Sequence, residues 1–484
     1  MNKFFSHFRL FFLISVNSTL IISGQTPKYT TEVEERIKQV ENNLAGWVQT
    51  QDNSKWTLVE RMALYNIKGI SIAVVHNYEI EWARGYGWAD VSENRLVTEK
   101  TLFQAASISK SLNGVGVLKL VQEKKLDLNS DINKYLKTWK FPYDTVSHNK
   151  KITIASLLSH TAGLTIHGFP GYSRGETLPS LSQILDGQKP ANTQAVRSLS
   201  EPGIKVVYSG GGVTISQMIV MDITRQPYDG YMQQNVLKPL GMGSSFFTQP
   251  PAEAKKALLA TGYKSNGEEV RGKYHIYPEQ AAAGLWTNPT DLCRYIIETQ
   301  LLYKGKSGKV LTPEMTRLRL TPVIANSALG VFIDSKGTAK YFMHNGGNEG
   351  FSCYSTGSLD DGVGVVIMCN SDNGAILEEI VNSVATVYNW KDYYKPVIKN
   401  TIKIPDAILN SYVGKYNIGG PTATISKIDN DLVINAYNLK CKLYFTSDVD
   451  FFVKEYRAEL KFLTDSEGKV TGFSSNGMIA KKIE

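Results

Sequence analysis

Residues 103–125 read Phe103-Gln104-Ala105-Ala106-Ser107-Ile108-Ser109-Lys110 and then SLNGVGVLKLVQEKK. From Ser107 onward Leu112, Val115, Leu118 and Val121 fall on one face before Lys124-Lys125 close the segment, and this period predicts a helix. Ser107 and Lys110 stand three residues apart at its start, so one turn brings both side chains to the same face. A serine hydroxyl is a weak nucleophile at neutral pH and needs a base within hydrogen-bond reach. The positive potential of the first helical amides disfavours an added ammonium charge, which suits a lysine there to the part of base. The same helix start offers the Ser107 amide as one donor toward a developing oxyanion.

The bare S-x-x-K spacing is not enough, because Ser147-His148-Asn149-Lys150 matches it too. That second match lies in a polar stretch with no apolar face behind it and reads as surface. Three later segments add weight to the first: Leu157-Leu158-Ser159-His160-Thr161-Ala162-Gly163-Leu164, Tyr208-Ser209-Gly210 and His344-Asn345-Gly346-Gly347. In this order and at these separations the set resembles the class C β-lactamase and penicillin-binding-protein family of serine hydrolases, over about Ile67 to Tyr388.

The resemblance implies an α+β fold, with an antiparallel sheet flanked by helices and a helical lobe beside it. It also implies acyl transfer through an acyl-enzyme. Ser107 would attack a carbonyl, Lys110 would assist, and Tyr208 would carry protons with Lys110. His344, at the first position of the family's K-T-G element on an edge strand, would polarise the site or bind a substrate carboxylate. Gly346 follows in that element, and the Gly347 amide would be the second oxyanion donor. Two departures bear on the substrate. Gly210 stands where the strict pattern has the Asn of Tyr-x-Asn, and His344-Asn345-Gly346 replaces Lys-Thr-Gly. Both favour an esterase or a D-amino-acid peptidase relative over an efficient β-lactamase. The rival expectation is a non-catalytic penicillin-binding sensor that keeps the fold. His160 and Gly284 read as packing residues, and Glu279 and Gln280 as possible cleft residues.

Around this constellation, Thr31 followed by Glu34 predicts a capping box and an amphipathic opening helix. Gly69–Val75 and Glu79–Gly87 flank the polar linker His76-Asn77-Tyr78 and predict a β-hairpin. Residues 166–203, rich in Gly, Pro and Ser, predict a long ordered loop or small helical insertion of the kind that shapes a cleft. Runs at Leu329–Ile333, Tyr341–His344, Phe351–Ser355 and Val363–Met368 return to strand, so the sheet is expected to be assembled from both ends of the domain. Lys391–Ile404 reads as a linker. Beyond it, Ala423–Ile428, Leu432–Ala436, Lys442–Thr446 and Glu459–Leu463 predict a small all-β barrel or sandwich. The expected organisation is therefore a leader over 1–24, a hydrolase domain over 25–395 and a β-rich domain over 400–484.

With 42% hydrophobic and 20% charged residues, the 484-residue chain is globular. Lys3 and Arg9, the apolar run Leu10–Ile22 and the small pair Ser23-Gly24 have the layout of a secretory leader, which predicts a periplasmic or secreted protein with no membrane span once the leader is removed. The net charge of +8 is scattered, which argues against nucleic acid as a partner and leaves a small-molecule or peptide substrate. Cys293, Cys353, Cys369 and Cys441 form no C-x-x-C pair and read as buried thiols, although Cys353 and Cys369 lie nearly symmetrically about Asp361-Gly362 and a cross-strand disulfide is conceivable. No metal-binding or phosphate-cradling motif appears, so no cofactor is expected.

Overall fold

The computed structural model describes residues 28–420, 422–436 and 439–484; the leader expected over 1–24 lies outside them. Seven strands form one antiparallel sheet: β1 (Gly69–His76), β2 (Glu79–Asp90), β3 (Arg95–Leu96), β4 (Phe332–Lys336), β5 (Ala339–Asn348), β6 (Phe351–Ser358) and β7 (Gly364–Cys369). Their order is β3-β2-β1-β7-β6-β5-β4, so the first strands meet the last at the β1–β7 pair. The β1–β2 turn is tighter than the three-residue linker expected. Asn77 and Tyr78 alone make it, with φ of 52° and 64°, the left-handed backbone that a two-residue hairpin turn requires at both positions.

Both faces of this sheet are covered, which is why its central strands read as unbroken apolar runs. Alternation along β1 sends Ile70, Ile72 and Val74 to one face, where they pack with Ile37 and Val40 of α1 (Thr31–Glu41) and with Ile380 and Val384 near the chain's later end. Ala73 and Val75 face the other side and join the large core of the helical lobe. The opening helix is capped one residue earlier than expected, by Thr30, whose Oγ1 accepts from the Val33 amide.

The same alternation removes the conceivable disulfide. Cys353 of β6 sits opposite Met368, and Cys369 of β7 sits opposite Ser352. Cys353 therefore packs into the helical-lobe core and Cys369 into the opposite one, and both are free thiols.

The helix after Ser107, α2 (Ser109–Gln122), departs from its one-faced reading. Every residue from Ser109 to Leu118 is buried. It runs through the middle of the domain, and its two glycines let neighbours close in: a Cβ at Gly114 would lie 3.0 Å from the Leu329 carbonyl oxygen, and one at Gly116 would lie 2.7 Å from Met232 Sδ. A second lobe helix, α3 (Gly210–Thr224), follows Tyr208, and α4 (Pro289–Tyr303) packs beneath the sheet.

The stretch read as a linker contains Val397–Lys399, which pairs in parallel with Val48–Thr50. Nine short strands then form one antiparallel sheet: β8 (Gly414–Asn417), β9 (Thr422–Ile428), β10 (Asp431–Ala436), β11 (Leu439–Lys442), β12 (Tyr444–Phe445), β13 (Asp450–Phe452), β14 (Leu460–Thr464), β15 (Val470–Ser475) and β16 (Met478–Lys482). β11 and β12 stand at opposite ends of the strand order yet are joined by Leu443 alone, so the sheet curls into a nearly closed barrel. Arg61 ties the barrel to the unit before it, pairing with Glu379 (Nε to Oε2, 2.8 Å) and reaching Glu455 at 3.3 Å while its guanidinium lies 3.7 Å over the Trp56 ring.

Candidate active site

The backbone before Ser107 is anchored by short pairing of Phe103–Gln104 with Trp286–Thr287 and by the Ala105 amide on the Leu285 carbonyl at 2.9 Å. Ala106 then takes φ of +47°. For a residue with a Cβ this left-handed backbone costs on the order of 1–3 kcal/mol, and it is the kind of local strain that accompanies a functional turn. Ser107 is thereby raised on a single 3-10 turn, Ala106–Ile108, in front of α2. β5 crosses this turn at close range. A Cβ at Gly346 would lie 2.7 Å from the Ala105 carbonyl oxygen and 2.8 Å from the Ser107 nitrogen, so only glycine permits the approach.

Lys110 is 2% exposed, and its Nζ donates to Ser107 Oγ at 2.9 Å and to the Ala282 carbonyl at 2.7 Å. The Tyr208 ring lies beside it, 5.1 Å from Nζ to the ring centroid. Tyr208 is held in place through its two C-terminal neighbours. Ser209 caps α3, its Oγ accepting from the Gly212 amide at 2.9 Å and donating to the Thr165 carbonyl at 2.7 Å. The Gly210 amide donates to the His167 carbonyl at 3.0 Å, and a Cβ at 210 would meet that carbonyl oxygen and Phe169 Cε2 at 3.1 Å each. A side chain at 210, as in the strict family pattern, would have to push this loop aside. The loop carrying His167 and Phe169 takes its place, and the Ala282 carbonyl holds the lysine.

These groups open into a cavity of about 450 Å³. Ser107 and Lys110 line it together with an aromatic wall of His167, Phe169, Tyr208 and Phe332, and with Asn345, Gly346 and Gly347 of β5. β4 ends opposite Met343, so the β5 segment from His344 onward has no strand partner on that side among the described residues and presents an open edge. Asn348 closes one corner, its Nδ2 donating to Gln104 Oε1 at 2.8 Å and to the Ala283 carbonyl at 3.1 Å. Apart from Lys110, no carboxylate, guanidinium or ammonium group among the described residues lines the cavity.

His344 is not part of that lining. Its ring is buried between Phe332 (5.5 Å) and Tyr208 (6.3 Å), and its Nδ1–H donates to the Asn345 carbonyl at 2.6 Å. Nε2 is buried with no partner among the described residues, and burial pushes the imidazole pKa down to about 3. A neutral ring behind the wall supplies no cation for a substrate carboxylate, and Asn345 faces the cavity in its stead. His160, read as packing, also serves the site: its ring lies 4.2 Å from that of Tyr208, and its Nδ1 accepts from the Ser209 amide at 3.2 Å. Burial holds it uncharged, with its pKa well below the usual histidine range.

Glu279 is wholly buried and outside the cavity lining; both carboxyl oxygens lack hydrogen-bond partners among the described residues, and burial raises its pKa to about 8. Gly284 closes a tight turn, with a Cβ there 2.7 Å from the Gln280 Cα. The second S-x-x-K match does not pair. Ser147 is buried, against the surface reading, and donates to the Asp144 carbonyl at 2.8 Å, while Lys150 pairs with Glu201. Of the aromatic wall the sequence reading named Tyr208 and missed His167, Phe169 and Phe332. His167 and Phe169 lie within the glycine-rich 166–203 region, and Phe332 begins a strand with no chemical signature.

A serine and a buried lysine in hydrogen-bond contact, at the start of a central helix and facing the open edge of an antiparallel sheet, define a β-lactamase/transpeptidase-like fold. The Beta-lactamase family model matches residues 57–381, and the chain belongs to that family. It is 25% identical over 364 residues to Protein flp of Staphylococcus aureus (strain N315), covering 73% of this chain and 68% of that protein. It is 27% identical over 243 residues to a Beta-lactamase of Pseudomonas fluorescens, covering 50% of this chain and 62% of that one. Among solved structures, the octameric penicillin-binding protein homologue from Pyrococcus abyssi is similar in fold, with a TM-score of 0.59 and 19% identity over 88% of this chain and 98% of that one. The D-amino acid amidase from Ochrobactrum anthropi SV3 is likewise similar, with a TM-score of 0.58 and 20% identity over 74% of this chain and 99% of that one. No helix among the described residues is long and apolar enough to cross a membrane.

Proposed function

We propose that this chain is a serine hydrolase that cleaves uncharged esters or amides through an acyl-enzyme on Ser107. The 2.9 Å contact between Ser107 Oγ and Lys110 Nζ at the cavity floor carries this reading. As the base, Lys110 keeps one N–H on the Ala282 carbonyl and takes the serine proton at Nζ. Oγ then attacks the carbonyl carbon, and the developing oxyanion is received by the amides of Ser107 and Gly347. Collapse of the tetrahedral adduct expels the alcohol or amine, protonated from Lys110 by way of Tyr208. Water enters by the reverse relay and releases the acid.

The choice of an uncharged substrate rests on the lining. An α-ammonium group, as on the substrates named for the D-amino acid amidase, needs a carboxylate that this cavity does not offer. A penicillin's carboxylate needs a cation other than Lys110, which serves as the base, and the buried His344 is neutral. Bringing an unpaired charge into such a site is costly. The reading is tested by kcat/KM for a neutral p-nitrophenyl ester, its ω-carboxylate analogue, nitrocefin, and D-phenylalanine p-nitroanilide with and without an N-acetyl group. Neutral members should be favoured over charged ones by about tenfold or more, a difference of about 1.4 kcal/mol. A preference for charged members would overturn the substrate assignment, and turnover that survives Ser107→Ala would overturn the mechanism.

A further inference from the structure

The barrel holds a second cavity, of about 570 Å³, which the hydrolase chemistry does not use. One end of the barrel is packed solid: Tyr412 stacks on Phe462 with centroids 3.6 Å apart, and Phe451 stacks on the same ring at 4.4 Å. Toward the other end the wall positions shrink to Ala423, Ala436, Cys441 and Ala480. Strand register sets these small residues beside larger ones, Ala423 opposite Tyr416, Ala480 opposite Phe473 and Cys441 opposite Ile434, so the space is bounded by apolar walls but not filled. Protein interiors are close-packed, with few voids larger than a water molecule. This pocket is open at one end, and an open-ended space of this size in a small barrel can take one small ligand.

The rim points to the ligand's chemistry. Met478 and Ile479 are 73% and 62% exposed at the mouth, large apolar side chains left in water where a ligand would cover them. Ser265, Asp372 and Asn373 of the hydrolase unit complete the rim and provide hydrogen-bonding groups. Among the described residues no lysine or arginine lines the cavity, and Asp372 is its one charged side chain, so an anionic head group would meet repulsion and no counter-charge.

We propose that the C-terminal barrel binds one uncharged amphiphile, its apolar body among Ala423, Ala436 and Ala480 and its polar head at the Ser265–Asn373 rim. The test uses the full chain with the neutral fluorophore N-phenyl-1-naphthylamine and the anionic 1-anilinonaphthalene-8-sulfonate. The neutral probe should bind saturably at one site per chain, at least about tenfold more tightly than the anionic one, and be displaced by a monoacylglycerol in preference to the matching fatty acid. Ala480→Phe and the milder Ala436→Leu should weaken it at least about tenfold while ester turnover is kept, and Ser107→Ala should leave it unchanged. Absence of saturable binding, equal affinity for the anionic probe, displacement by fatty acid as readily as by monoacylglycerol, or undiminished binding to a folded filled-cavity variant would overturn the proposal. So would loss of binding in Ser107→Ala, which would put the probe in the hydrolase cavity. Binding is read separately from turnover, so either assignment can fail alone.

Discussion

Gly346→Ala adds one methyl group where β5 crosses the nucleophile turn. The new Cβ would lie 2.8 Å from the Ser107 nitrogen, 2.7 Å from the Ala105 carbonyl oxygen and 3.1 Å from Ala106 Cβ. Ordinary van der Waals contact for a Cβ begins at 3.4 Å, so relief requires about 0.6–0.7 Å of relative movement. Both partners are backbone: β5 is fixed by its pairing with β6, and the Ser107 turn by the pairing of Phe103–Gln104 with Trp286–Thr287. Overpacking of this kind costs about 1–3 kcal/mol of stability, and a displacement near 1 Å at a reacting group lowers the rate by about 10²-fold. We expect kcat on a neutral p-nitrophenyl ester to fall by about 10²-fold or more, with the far-UV circular dichroism unchanged. The control is Gly230→Ala, whose Cβ would meet nothing within 4 Å, and which should alter kcat by no more than about twofold. A folded Gly346→Ala protein with wild-type kcat would refute the argument that this close approach sets the geometry of Ser107.

Three further outcomes concern buried ionisable groups. His344 holds a depressed pKa of about 3, so between that value and its unfolded one near 6.5 only the unfolded chain takes up the proton, and stability falls as pH drops through that window. Glu279 holds a raised pKa of about 8, so between about 4.5 and 8 only the unfolded chain releases the proton, and stability falls as pH rises. Glu279→Gln should reduce the loss of unfolding free energy between about pH 4.5 and 8 by up to about 1.4 kcal/mol per pH unit and leave the slope below about pH 4.5 unchanged; an unchanged slope between about pH 4.5 and 8 would remove Glu279 from this explanation. Arg61→Ala leaves Glu379 and Glu455 buried without their cation and should cost about 3–5 kcal/mol in chemical denaturation, whereas a loss under about 1 kcal/mol would mean that water or Lys454 takes over the role.

The parts of the fold written in local periodicity were legible in the sequence. The β1–β2 hairpin and the late strands were legible as short β-branched and aromatic runs between turns, the barrel as alternating runs, and the return of the last strands beside the first emerged from their order alone. Ser107 and Lys110 were legible because a helix fixes the distance between residues three apart. What failed was set by tertiary surroundings. The one-faced reading of α2 missed that Gly114 and Gly116 admit neighbours on its other sides. The hairpin symmetry of Cys353 and Cys369 ignored a register that sends them to opposite faces of the sheet. His344 carries the right position along β5, but its ring turns into the aromatic cluster, and only packing decides that. Gly210 read as a missing amide; in three dimensions it is the gap through which the His167–Phe169 loop enters the site.

The most telling measurement is the intact mass of the full chain after reaction with an alkyl fluorophosphonate, with peptide mapping of the product. A single adduct at Ser107, absent from Ser107→Ala and formed about 10²–10⁴-fold more slowly in Lys110→Met, is the predicted result. An adduct mapped to another residue, or ester turnover with Ser107 left unlabelled, would contradict it.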